Sequence, residues 1–180
     1  MPVVGVMGSG TTEWIELANP LGQWLAENGY DLVTGGGSGS MLATCRAFRQ
    51  TSPRLGRSIG IVPTQPDQSC GFVPLAEYPN PFVDITIVTP LPRYDSNTPV
   101  AALSRNYVNI LTSDVVIALP GGLGTLNELE LAVRFSKPVM CFGPVDAFRQ
   151  APDNIERTED FKRVCRFIVG VTKTSVASIV

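Results

Sequence analysis

A chain of 180 residues that is 44% hydrophobic and 17% charged carries enough apolar side chain for one domain with a sizeable core, and a single unit over residues 1–180 is expected. Its 14 basic and 16 acidic residues are scattered, so a net charge of −2 leaves no electrostatic footprint for a nucleic-acid backbone or a membrane surface, and neither is expected as a partner. With no histidine, a Ser-His-Asp triad, an imidazole base and the commonest transition-metal ligand are all excluded, and acid–base chemistry falls to a carboxylate, lysine, tyrosine or thiol.

In chain order, the β-branched run VVGVM (3–7) reads as a first strand and turns at Gly8-Ser9-Gly10. A helix is expected over NPLGQWLAENG, with Asn19 as its cap, Pro20 in the first turn and Gly29 as its stop; residues 12–18 fit either a loop or an earlier helical segment kinked at Pro20. DLVT (31–34) is the second strand, followed by GGGSGS and a helix from about Ser40 to Thr51. Strands SIGIV (58–62) and DITIV (84–88) enclose a proline-rich polar stretch between Pro63 and Phe82, and a second such stretch runs from Thr89 to Asn97. Connections this long are more often functional than idle, so both are expected to rim a pocket.

A third helix is expected from Thr98-Pro99, with Val100, Leu103, Tyr107, Ile110 and Leu111 on its apolar stripe and Arg105 well off it. DVVIAL (114–119) leads into PGGLGTLNE and a helix to about residue 136, and PVMCF (138–142) is the sixth strand. In the tail TEDFKR reads as a helix start, RFIVGV (166–171) as a seventh strand and SVASIV as the opening of a last helix. Nearly continuous apolar strands alternating with helices imply a Rossmann-like, doubly wound parallel α/β sheet of about seven strands, covered by helices on both faces.

Cysteines 45, 70, 141 and 165 are far apart and form no C-x-x-C, so they read as small core residues and no metal site is expected. The longest apolar stretches have strand length, and MPVVGVMG lacks the parts of a signal peptide, which points to a cytoplasmic protein.

Three strands run directly into glycine-rich turns: VMGSGTT, VTGGGSGSML and ALPGGLGTLNE. In a parallel sheet all such turns lie at the carboxyl edge, where ligands bind, and each opens a helix whose unpaired N–H groups favour an anion, phosphate above all. None has the third glycine of a dinucleotide fingerprint, and there is no G-K-[ST]. The glycines also have a purely local reading, as tight strand-to-helix turns. Thr125-Leu-Asn-Glu128 likewise has the form of a capping box, in which hydroxyl and carboxylate satisfy backbone donors at the helix start. Glu130 reads as solvated, or as the i,i+4 partner of Arg134.

PGGLGTLNE, with SRN fifteen residues upstream, together with GVMGSG, TGGGSGSM and SDVVIALPGG, resembles the signature of the LOG-like superfamily, also called the possible lysine decarboxylases, and the likeness runs from Val3 to Phe142. Two branches of that superfamily bear on function. In the nucleoside 5'-monophosphate phosphoribohydrolases of the cytokinin-activating type, the residues matching Arg105 and Glu128 are catalytic. In the molybdenum cofactor carrier proteins, the fold binds a phosphorylated pterin and performs no chemistry.

VAALSRN stands here in place of the hydrolases' M-H-x-R-K, and the opening VGVMGSG and short chain look more like the carriers. The intact PGGLGT loop, degraded in algal carriers, keeps hydrolysis open as the alternative. The carrier resemblance implies molybdenum cofactor as cargo, its phosphate on Gly121, Gly122, Gly124 and Thr125, with Gly8, Ser9, Gly10, Gly36, Ser38, Gly39 and Ser40 lining the remaining crevice. Arg105 would supply fixed positive charge to phosphate or molybdate-like oxygens. The family also implies a homo-oligomer, a tetramer or a dimer, with its interface on the helices around 99–112 and 125–136.

Overall fold

The structure is a computed structural model that describes residues 1–97 and 103–177, with the side chains of 174–177 outside the description. Seven parallel strands form one sheet in the order β6-β3-β2-β1-β7-β8-β9. They are β1 (Val3–Met7), β2 (Asp31–Thr34), β3 (Ser58–Val62), β6 (Ile85–Val88), β7 (Val115–Ala118), β8 (Val139–Phe142) and β9 (Glu156–Thr158). The chain starts at the centre, winds outward to β6, then returns to lay β7 against the other side of β1. Register there runs from Val4 opposite Val115 to Met7 opposite Ala118, so the turns that follow β1 and β7 leave the sheet side by side. This reversal of winding is the switch point at which a doubly wound sheet opens a crevice.

Helices α1 (Ile15–Glu27), α2 (Ser40–Gln50) and α5 (Phe161–Ala177) cover one face of the sheet, while α3 (Arg105–Thr112) and α4 (Leu123–Arg134) cover the other. The first layer buries Leu21, Leu25, Phe48, Val164 and Ile168 against Val4, Leu32, Ile117 and Met140. The second buries Ile110 and Leu131 against Met7, Val33, Ile61 and Val116. The inner strands β1, β7 and β8 are apolar on both faces because each face has its own layer to meet.

Several expectations are corrected. Asn19 does not cap a helix: α1 begins four residues earlier at Ile15, behind Trp14 in a left-handed conformation (φ 47), and Pro20 sits inside it. The missing Pro20 N–H frees the carbonyl of Glu16, an exposed residue, so the break faces solvent. Gly29 does stop the helix, with φ 72. RFIVGV is not a strand but the middle of α5, since Val164, Ile168 and Thr172 fall four apart and are all buried. That spacing overrides the β-propensity of the run. The seventh strand is instead Glu156–Thr158, and only 175–177 of SVASIV are described, as the end of α5.

The start expected for the third helix at Thr98-Pro99, and Val100 with it, lies outside the described residues. Leu103 precedes α3 and is 57% exposed, Leu111 is 50% exposed, and the inward side carries Arg105, Asn106 and Asn109 with Ile110. The stretch 63–82 also hides a small antiparallel hairpin, β4 (Thr64–Asp67) with β5 (Gly71–Pro74). Its turn is closed by Asp67 Oδ1, which accepts from the Ser69 hydroxyl and from the Ser69 and Cys70 amides, and these bonds, the hydroxyl's first, hold the Asp67 carboxyl down at about 2. Cys45 and Cys141 are core residues as expected, and burial lifts both thiols to about 11; Cys70 is exposed on the hairpin turn and Cys165 is half-buried. Among the described residues no helix is long and apolar enough to cross a membrane.

Candidate functional site

The three glycine turns meet. The Ser9 amide donates to the Pro120 carbonyl at 3.2 Å, joining the β1 turn to the β7 turn, and the Ser40 amide and hydroxyl both donate to the Ser9 carbonyl, joining β1 to β2. These bonds need backbones closer than side chains allow. A Cβ on Gly8 would strike the Ser40 hydroxyl, and one on Gly121 would strike Thr125 and the Gly8 backbone. Gly39 has φ 63 and lies on Ser9 and Thr11, so it is required both for its angle and for its contact. Within the β1 turn, Ser9 Oγ accepts from the Thr11 and Thr12 amides at 3.1 and 2.9 Å.

Above these turns opens a cleft of about 850 Å³, within the range of small-molecule sites. Of the residues expected at a ligand, Gly8, Ser9, Gly10, Ser38, Arg105, Gly122, Gly124, Thr125 and Glu128 line it. Gly36, Gly39 and Ser40 do not: they are buried beneath it and build the turn, Gly36 by accepting from the Asn80 amide and donating to Thr34 Oγ1. Gly121 faces a smaller cavity of about 250 Å³ behind the same loop, beside Leu126, Phe148 and Arg149. The two long connections do rim the cleft, through Leu75–Tyr78 and Arg93–Ser96.

Arg105 is not a solvated arginine. It is 6% exposed and its guanidinium lies on the backbone of Gly35, where any Cβ would overlap it. Its Nε is buried without a hydrogen-bond partner. Its Nη1 stands 4.0 Å from Glu128 Oε1. Gly35, the first glycine of the second motif, carries the arginine and was not among the expected ligand positions; its signal in the sequence is only that three glycines follow β2.

Glu128 does not cap α4. The helix begins at Leu123 with Gly122 as its cap, three residues before the expected cap Thr125, and a glycine brings no capping side chain. Glu128 therefore sits in the second turn pointing into the cleft floor, where it is 6% exposed and its Oε1 accepts from Asn109 Nδ2 at 2.9 Å. Burial lifts its carboxyl above the ordinary range, against the opposing pull of Arg105 and of the Asn109 hydrogen bond. Asn106, also missed in the sequence, donates to Gly124 O at 3.4 Å and Asn127 Oδ1 at 3.0 Å, and so pins the first turn of α4 to α3. Leu123, Gly124 and Thr125 keep the free amides of that first turn at the cleft edge. A buried guanidinium with an unused N–H beside a helix N-terminus is suited to an oxyanion.

A family model, the SLOG cluster4 family, matches residues 1–172. The chain belongs to the SLOG cluster4 family. Its structure is similar to that of the molybdenum cofactor binding protein of the phototrophic bacterium Rippkaea orientalis, with 30% identity and a TM-score of 0.72 over 95% of this chain and 97% of that one. It is similar as well to the Moco carrier protein of Chlamydomonas reinhardtii, with 27% identity and a TM-score of 0.70 over 96% and 98% of the two chains. An uncharacterized protein of Archaeoglobus fulgidus is 28% identical over 143 residues, 78% of this chain and 80% of that protein. The resemblance read from the glycine motifs, to a fold that molybdenum cofactor carrier proteins share, holds.

Proposed function

We propose that this protein binds and carries molybdenum cofactor, holding the phosphate of the pterin at the N-terminus of α4 and against Arg105. The observation that carries the reading is the buried, unpartnered Nε of Arg105 in a cleft that the first turn of α4 also lines. Gly122, Gly124 and Thr125 would receive the phosphate, while Gly8, Ser9, Gly10 and Ser38 would line the rest, with Gly121, Gly36, Gly39 and Ser40 supporting those turns. The planar pterin would lie toward Tyr78 and Tyr94 on the rim. The cargo brings its own molybdenum, bound through its dithiolene. Among the described residues no cluster of three His, Cys, Asp or Glu is placed to ligate a metal. The structural similarity to two cofactor-binding carriers supports this reading.

Retention of molybdopterin by the purified protein after gel filtration tests it. Stoichiometric retention that Arg105→Ala abolishes is the expected result; no retention overturns it.

A second reading is favoured by one observation, the confrontation of Arg105 and Glu128 at 4.0 Å inside the cleft. In it the protein is a phosphoribohydrolase: Arg105 and the loop amides hold a nucleoside 5'-monophosphate, and Glu128 activates water or stabilises an oxocarbenium-like ribose. Release of free base from AMP, lost in Glu128→Gln, would move the assignment to the enzyme.

A further inference from the structure

The charge at the floor of the cleft is nearly cancelled within the protein itself. Arg105 and Glu128 face each other with only 7% and 8% of their side chains exposed, yet at 4.0 Å they are apposed rather than hydrogen-bonded. A charge-assisted pair that has closed brings N and O to about 2.8 Å. Glu128 Oε1 takes its hydrogen bond from Asn109 instead. The same Asn109 leaves its Oδ1 buried with no partner, as Arg105 leaves its Nε. A carboxylate has no hydrogen to offer such an oxygen, whereas a carboxylic acid has one. The floor is therefore built with a donor and an acceptor both in reserve.

We infer that Glu128 is the internal counter-ion of Arg105, displaced electrostatically by an incoming oxyanion, and that it takes up one proton from solvent as the oxyanion binds. The inference rests on the cleft being an oxyanion site, as proposed above. Without ligand the pair is Arg105 guanidinium and Glu128 carboxylate; with ligand the guanidinium belongs to the oxyanion, and the proton sits on a carboxyl oxygen of Glu128. No covalent bond to the ligand forms or breaks. The driving force is the repulsion of two anions sharing one buried cation, which protonation of the carboxyl removes. Burial already holds this carboxyl above the ordinary range, which lowers the cost of that proton near neutrality.

The other elements around Glu128 leave this exchange uncontested. Arg105 is the charged residue that α3 directs at it, and α4 adds Glu130 and Arg134, both exposed. The turns at residues 8–12 and 35–39 contain no ionisable side chain. The two long connections add Glu77, Tyr78, Arg93, Tyr94 and Asp95 to the lining, and no ion pair joins any of them to Glu128 among the described residues. Glu128 is thus a positioning residue for the charge of Arg105, and it sets which pH favours loading.

Sulfate is the probe that isolates the effect, because unlike phosphate it has no proton of its own to exchange near neutral pH. Proton uptake on titrating the whole chain with sulfate is measured by pH-stat, and by calorimetry in two buffers of different ionisation enthalpy. The expected result is uptake rising toward one proton per sulfate as the pH is raised, with affinity falling over the same range. Glu128→Gln should bind sulfate about tenfold or more tighter on the alkaline side of neutrality, since the competing charge is gone, and should take up no proton. Sulfate binding to the wild-type chain without proton uptake overturns the inference, as does a Gln variant that binds no tighter and keeps the wild-type pH dependence. The wild-type proton count stands by itself if the variant does not fold. No sulfate binding by the wild-type chain at any pH is a different failure: it removes the oxyanion site, and the inference with it.

Discussion

Gly35 and Arg105 touch so closely that the glycine has room for no side chain: a Cβ built there would overlap the Arg105 guanidinium. The end of β2 is the seat on which the cation of the cleft rests. Gly35→Ala should push the guanidinium off that seat, at a stability cost of about 1–3 kcal/mol for overpacking. Sulfate titration of the folded variant, its fold checked by circular dichroism, should give an affinity at least about tenfold weaker, as expected when a charge-assisted bond is misplaced. Wild-type affinity would mean that Arg105 does not hold the anion.

Tyr78 lies against Gly37 beside Met41 and lines the cleft from the connection that follows β5 rather than from the glycine turns. If a planar ring lies there, Tyr78→Ala should weaken molybdopterin binding by roughly 10–100-fold, the range of ring stacking on an aromatic side chain, while sulfate binding stays unchanged. Parallel losses for both ligands would place the ring elsewhere.

Two carboxyls set opposite pH dependences of stability. Burial pushes the Asp84 carboxyl up, but hydrogen bonds from Arg54 and the Ser58 amide, with the charges of Arg54 and Arg49, outweigh it and the net direction is down. A group depressed in the folded state contributes stability that is present above the ordinary carboxylate range and lost as pH falls through its folded value. Asp84→Asn should therefore be less stable than wild type at neutral pH and converge with it in acid, as read by urea midpoints. Glu128 is raised in the folded state, so its contribution is present below the ordinary range and fades as pH rises. Glu128→Gln should gain on wild type as pH goes up through that window.

Leu111 and Leu123, on α3 and α4, are 50% and 56% exposed, and Leu103 just before α3 is 57% exposed. Large apolar side chains left open on two neighbouring helices suit an interface between copies of the chain. Light scattering should report a homo-oligomer, a tetramer or a dimer, and Leu111→Glu should reduce its mass. A wild-type monomer would refute this.

Strand periodicity and the glycine turns were enough to bring the three candidate loops to one edge of the sheet. Apolar runs of four or five residues at 3–7, 31–34, 58–62, 115–118 and 139–142 have no soluble alternative to a sheet covered on both sides, and parallel strands put every strand-to-helix turn at the same end. The two long connections followed from the same logic. The roles of Arg105 and Glu128 were not legible in this way. Periodicity counts apolar residues, so it turned Arg105 outward, whereas α3 directs a polar side inward because that side lines a cleft. A capping box is a local pattern, and it fits Thr125 and Glu128 on paper; Gly122 starts the helix earlier and carries Glu128 down to Asn109 and Arg105. Whether a charge is buried, and against what, depends on groups brought together from β2, α3 and α4, and the energy of that meeting is written only in three dimensions.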